Sequence, residues 1–182
     1  MNQLSHSPAP TFTATTVDEP TKHPRVAIIA SSWHREIVDK GKDSLLHELE
    51  RCGVPASHIE QMNVPGAFEI PLFAKKLAQS GRYDAIIACG LVVNGGIYRH
   101  EFVASAVIDG LMRVQLDAGV PVLSAVLTPQ NFHEHEDHVR FFSEHLIKKG
   151  VEVARACLAA VAGLASIEAM GTRNQVSRAT VS

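Results

Sequence analysis

The run from Gly90 to Phe102, Gly-Leu-Val-Val-Asn-Gly-Gly-Ile-Tyr-Arg-His-Glu-Phe, places a glycine pair just ahead of an arginine and a histidine. Glycines let backbone approach a ligand closely, and the N–H groups at the start of a helix attract anions. A guanidinium holds phosphate through paired hydrogen bonds, and an imidazole exchanges protons near neutral pH. The run therefore suits acid–base chemistry on a phosphorylated molecule, with Arg99 and His100 as the catalytic candidates. The chain reads as an enzyme.

Three further groups carry chemistry. Trp33 is the only tryptophan. Its indole can stack on a flat heterocycle, or it can cap the core or a subunit contact. Pro65-Gly-Ala-Phe-Glu-Ile-Pro71 reads as a tight turn opening a helix. There Glu69 and free N–H groups at Ala67 and Phe68 can hold a polyhydroxyl chain, or the carboxylate can simply favour its own helix start. Phe132-His-Glu-His-Glu-Asp-His138 puts His135 and His138 on one helical face. Zinc enters as a competing reading through His133, His135 and His138, but the HExxH spacing of a zinc protease is absent. His138 and Arg140 can instead reach a phosphate, including that of a neighbouring copy.

Two nucleotide signatures are excluded. Gly96 is followed by Ile97 where a P-loop requires Lys and Ser or Thr, and no GxGxxG occurs.

These groups need elements to hold them. Arg25–Ala30, Ala85–Val93 and Pro121–Leu127 are apolar runs of strand length, and Ile59–Val64 reads as a further strand. Helical spacing follows each: Ile37 to Leu49 closed by Gly53, Pro71 to Gln79, His100 to Ala118, then Glu134–Lys148 and Val151–Ala169 hinged at Gly150. Alternating strands and helices predict an α/β three-layer sandwich, with a four-stranded, mainly parallel sheet in flavodoxin-like order flanked by helices. Ligands of such sheets bind beyond the carboxyl ends of the strands. This rule gathers Ser31–His34, Pro65–Glu69, Asn94–His100 and Thr128–His133 on one rim. Residues 1–23 read as a flexible N-terminal extension, 24–170 as the α/β domain and 171–182 as a disordered tail.

Composition narrows the class. A net charge of −2 over 182 residues offers no basic surplus for a nucleic acid. No apolar run approaches the roughly 20 residues of a membrane span, and residues 1–23 lack the basic-then-apolar order of a secretion signal. Cys52, Cys89 and Cys157 lie far apart without a CxxC, and the reading is free thiols in a cytoplasmic protein.

Taken together, the blocks resemble the lumazine synthase family of riboflavin biosynthesis from Arg25 to about Ala169. The resemblance rests on Trp33-His34, Pro-Gly-Ala-Phe-Glu-Ile-Pro, Gly-Gly-Ile-Tyr-Arg-His-Glu-Phe-Val-Ala, Val-Leu-Thr-Pro at 126–129, and Lys149-Gly150. It implies condensation of 5-amino-6-(D-ribitylamino)uracil with 3,4-dihydroxy-2-butanone 4-phosphate to 6,7-dimethyl-8-ribityllumazine, with loss of phosphate and water. It implies no metal and no redox cofactor. It also implies self-association in rings of five with sites between neighbours, and this variant set is similar to the subgroup that stacks pentamers into decamers.

Carried over, Trp33 would stack on the uracil, and Ala67, Phe68 and Glu69 would hold the ribityl chain. Leu91, Val92 and Val93 would line the pyrimidine with backbone groups, and Ser124 would come from an adjacent subunit. Gly96 and Ile97 would offer N–H groups to the phosphate. The family pattern Gly-x-Thr-x-His-Phe puts its proton-transfer histidine on Arg99 in an ungapped register, with His100 one place later. An arginine is a poor general base, so His100 is the better candidate on chemistry. The family's phosphate-binding arginine has no clean match, which leaves His138 and Arg140 as rivals. A riboflavin- or lumazine-binding homologue with weakened catalysis is the competing reading from a binding class.

Overall fold

The computed structural model describes residues 23–96, 99–130, 132 and 135–179. The expectations for residues 1–22, Ile97, His133 and 180–182 lie outside them.

Four strands, β1 (Val26–Ser31), β2 (Ile59–Val64), β3 (Ala85–Leu91) and β4 (Val122–Leu127), form one sheet in the order β2-β1-β3-β4. Every pairing is parallel, so the sheet is wholly rather than mainly so. Central strands β1 and β3 are buried at every position. This matches their unbroken apolar runs, since both faces of a parallel sheet are covered. Edge strands β2 and β4 are more open: Val64 alone is buried in β2, and Val122, Ala125 and Val126 in β4.

The layers follow the pleat. Val26, Ile28 and Ala30 face α1 (Arg35–Arg51) and α4 (Glu136–Ala179), while Ala27 and Ile29 face α2 (Ile70–Gln79) and α3 (His100–Ala118). Each fully buried Ile in these layers, such as Ile28, Ile29, Ile86 or Ile87, contributes about 2–3 kcal/mol of apolar burial. Gly53, at φ 92°, ends α1 in a conformation that costs a side chain dearly.

The helix expected to hinge at Gly150 runs unbroken through it, and α4 extends to Ala179. Gly150 serves proximity and not flexibility. A Cβ on it would overlap Ser44 Oγ and the Gly41 carbonyl of α1, and a Cβ on Gly41 would overlap Leu146. The two glycines let α1 and α4 cross closely enough for Ser44 Oγ to donate to the Ile147 carbonyl at 2.9 Å.

Glu136–Gly171 of α4 is long and apolar enough to cross a membrane by length and composition, a property the sequence reading missed. Its apolar content has a local use. Leu146, Val153, Ala154 and Cys157 are buried against α1 and the sheet, whereas Leu164, Ile167 and Met170 further along are exposed.

Candidate active site

With order β2-β1-β3-β4, β1 and β3 run out to neighbouring ends from which the chain departs to opposite sides. This is the switch point where such sheets open a crevice. β1 delivers Ser31, Ser32, Trp33 and His34 there. Ser32 and Trp33 donate their N–H groups to Pro65 O, both at 3.2 Å, which ties the end of β1 to the end of β2. His34 then takes a left-handed conformation, φ 52°, and its carbonyl accepts from Ile37 and Val38 to start α1. Histidine tolerates this region better than most side chains, yet strain of this kind concentrates at ligand sites.

The end of β2 brings Gly66 and the 3-10 turn Ala67–Glu69 against Trp33. The Gly66 N–H donates to Glu69 Oε2 at 2.8 Å. One carboxylate oxygen thus serves the local cap, as the bland reading of Glu69 expected. Ala67 is buried and packs within reach of Gly90, whereas Phe68 is exposed. Trp33 is 67% exposed, so its indole faces outward and is not a core cap. Ser31, which the sequence reading did not single out, is buried, and its Oγ finds no hydrogen-bond partner among the described residues. It lies opposite the bare Cα of Gly90, where a Cβ would come within 3.2 Å of the hydroxyl.

At the end of β3, Leu91 and Val92 put their side chains into the core. β3 stops at Leu91, two residues earlier than expected, and Val92 spends its N–H on Leu127 O at 2.9 Å. What these residues and the half-buried Val93 can offer a ligand is therefore narrower than a free edge. Gly96 adopts φ 76°, and its N–H, the candidate phosphate donor, bonds Asn94 Oδ1 at 3.1 Å.

Arg99, extended at ψ 92°, precedes α3 and His100 is its first residue, and the two side chains have separate settings. The Arg99 guanidinium lies 4.4 Å over the Phe102 ring in open surroundings. His100 begins α3 with a sheltered side chain, its Nδ1 3.5 Å from Glu101 Oε2.

The remaining candidates divide. His138 joins the rim through rings: Phe132 lies 5.5 Å from His34 and 6.5 Å from His138. Arg140 turns away and pairs with Asp137 at 2.6 Å, beside a groove of about 380 Å³ lined by Lys40, Glu136 and Ser143. Ser124 lies in mid-strand on edge strand β4, exposed and away from its own chain's rim. Among the described residues no three His, Cys, Asp or Glu side chains assemble as metal ligands.

The profile of the 6,7-dimethyl-8-ribityllumazine synthase family matches residues 23–164. A protein of Rhodococcus erythropolis named 6,7-dimethyl-8-ribityllumazine synthase is 57% identical over 143 residues, covering 79% of this chain and 92% of its own. Proteins named 6,7-dimethyl-8-ribityllumazine synthase 2 from Bradyrhizobium diazoefficiens and Pseudomonas syringae pv. tomato are 53% and 50% identical. Each match spans 79% of this chain and 86% of the relative. With a doubly wound parallel sheet, an exposed indole at its switch point and a match across nearly all of the domain, the chain belongs to the 6,7-dimethyl-8-ribityllumazine synthase family.

Proposed function

We propose that the rim binds 5-amino-6-(D-ribitylamino)uracil and condenses it with 3,4-dihydroxy-2-butanone 4-phosphate, releasing phosphate and water and forming 6,7-dimethyl-8-ribityllumazine. The observation that carries this reading is the contact group of Trp33, Gly66 and Glu69 at the end of β1 and β2. It supplies a flat apolar surface for the pyrimidine beside polar groups for the ribityl hydroxyls, with Ala67 and Phe68 along the chain and Leu91, Val92 and Val93 behind the ring.

The chemistry divides between two cations of different kind. Expulsion of phosphate requires a proton to leave carbon next to the carbonyl or the imine made from it. His100 suits that role, an imidazole at the start of α3 with its Nδ1 3.5 Å from Glu101 Oε2. Arg99 stays charged throughout and pairs with the phosphate, alongside Gly96 and Ile97. The first carbon–nitrogen bond forms as the 5-amino group condenses with the ketone and loses one water; after phosphate leaves, the second closes the new ring and loses another.

The active assembly is a ring of five, stacking into a decamer, in which Ser124 lines the pocket of a neighbour. His138 and Arg140 approach a phosphate bound next door. An exposed apolar surface supports association: Leu72 on α2 and Phe102, Met112 and Leu116 on α3 are each more than half exposed, more than an isolated domain leaves open without use. The location is cytoplasmic, a reading supported by free, buried Cys89 and Cys157.

Phosphate release on mixing both substrates with the purified chain tests the reaction. Release that requires the aminouracil and matches lumazine formed is the expected result. Release no faster than without protein would overturn it.

A further inference from the structure

Gly66 has φ −135° and ψ 178°, extended backbone that any residue adopts. Its backbone therefore gives no reason for a glycine, although Pro65-Gly66 reads in the sequence as a turn that needs one. The reason is space. A Cβ at Gly66 would lie 3.0 Å from both Cε3 and Cζ3 of Trp33, and 3.2 Å from Glu69 Oε2. Carbon atoms in contact prefer about 3.5–4.0 Å. The indole thus rests against the bare Cα, inside the volume that any side chain would fill.

Trp33 needs such a seat. At 67% exposure little burial fixes its ring, and an exposed side chain with a free choice of rotamers samples several poses. Its main chain is pinned by the N–H bond to Pro65 O. That bond sets where the side chain begins but not where the ring lies.

We infer that Gly66 is a positioning residue, whose missing side chain seats the Trp33 indole in the pose that receives the pyrimidine. The inference rests on the reading of Trp33 as the stacking surface. Gly66 acts through Trp33 and touches no reacting atom. Because the indole is exposed, it can yield to a methyl group by a few tenths of an ångström. The fold of a Gly66→Ala protein therefore survives while the ring tilts. The Gly66 N–H remains available to Glu69 in that variant, so the turn keeps its cap.

The test is a double-mutant cycle on the full chain: wild type, Trp33→Ala, Gly66→Ala and the double variant, with KM measured for each substrate. Trp33→Ala raises KM for the aminouracil about 10-fold, the scale of one ring-stacking contact. Gly66→Ala raises it about 3-fold, with KM for the butanone phosphate nearly unchanged. The double variant matches Trp33→Ala alone, because the seat has no occupant. As Trp33 is the sole tryptophan, its emission in the substrate-free Gly66→Ala protein shifts as well. Effects that multiply in the double variant, an aminouracil KM unmoved by Gly66→Ala, or an unshifted emission each overturn the inference. Trp33→Ala with an unchanged aminouracil KM overturns instead the stacking reading beneath it. If Gly66→Ala alone fails to fold, recovery of folding in the double variant reads the same contact as stability, and failure of both overturns it.

Discussion

Arg155 Nε on α4 donates to Glu48 Oε1 on α1 at 2.6 Å, joining side chains 107 positions apart in sequence. Arg51 closes the other side with two bonds to the same carboxylate, at 2.7 and 2.8 Å. Glu48 is buried while both arginines reach solvent, so the pair of guanidiniums clasps the carboxylate and offsets the hydration it gives up.

That clasp makes stability depend on acidity. Hydrogen bonds from Arg51, then Arg155, hold the Glu48 carboxyl down from its ordinary 4.5 to about 2. A depressed carboxyl favours the folded state above its unfolded value, and the benefit is lost as pH falls through the folded one. Unfolding monitored by circular dichroism should show stability declining from about pH 4.5 toward pH 2. In Glu48→Gln that part of the slope disappears and the protein is weaker at neutral pH. A variant with the wild-type slope would show that the clasp does not set it.

Gly150→Ala should be among the most damaging single-methyl changes in the domain, because the new Cβ meets Ser44 Oγ and Gly41 O in a rigid helix crossing. Overpacking of this kind costs about 1–3 kcal/mol, read as a lower denaturant midpoint with an unchanged slope. Gly163→Ala, with nothing near its Cβ, is the control and should be neutral or slightly stabilising.

Arg99 and His100 should separate in kinetics. His100→Ala lowers kcat about 100-fold or more, the scale of a lost general acid–base group. Arg99→Ala mainly raises KM for the butanone phosphate. Their divergent settings, one over Phe102 and one beside Glu101, underlie the split. The reverse pattern of kcat and KM effects would exchange the two roles.

Thiol labelling should find one fast cysteine per native chain. Cys52 is exposed, while burial pushes both the Cys89 and Cys157 thiols up to about 12. Only thiolate reacts. Three reactive thiols should appear once the chain is unfolded, and rapid labelling of Cys157 in native protein would contradict the burial of α4 on the sheet.

Much of this was legible from residue types. The β-branched runs mark β1 and β3, and α3 spans His100 to Ala118 as its spacing predicts. Glycine is where legibility runs out, since the letter does not say which of its two properties is used. Gly53 and Gly96 need their positive φ, whereas Gly150 and Gly66 need only the absence of a Cβ. Read as punctuation, Gly150 looked like a hinge and Gly66 like a turn. Their neighbours, Ser44 and Trp33, are far away in sequence, so the crowding is visible only in three dimensions. The pairing of Gly96 with Asn94 was hidden for a different reason, because a short local bond competes with the ligand role the motif implies.

Rapid mixing of the purified chain with the aminouracil and the butanone phosphate, followed by the absorbance of the lumazine product, tests the central claim most directly. Formation well above the rate without protein, and slowed in Trp33→Ala, is the predicted result. A rate equal to the uncatalysed one would contradict the assignment of this rim as a lumazine-forming site.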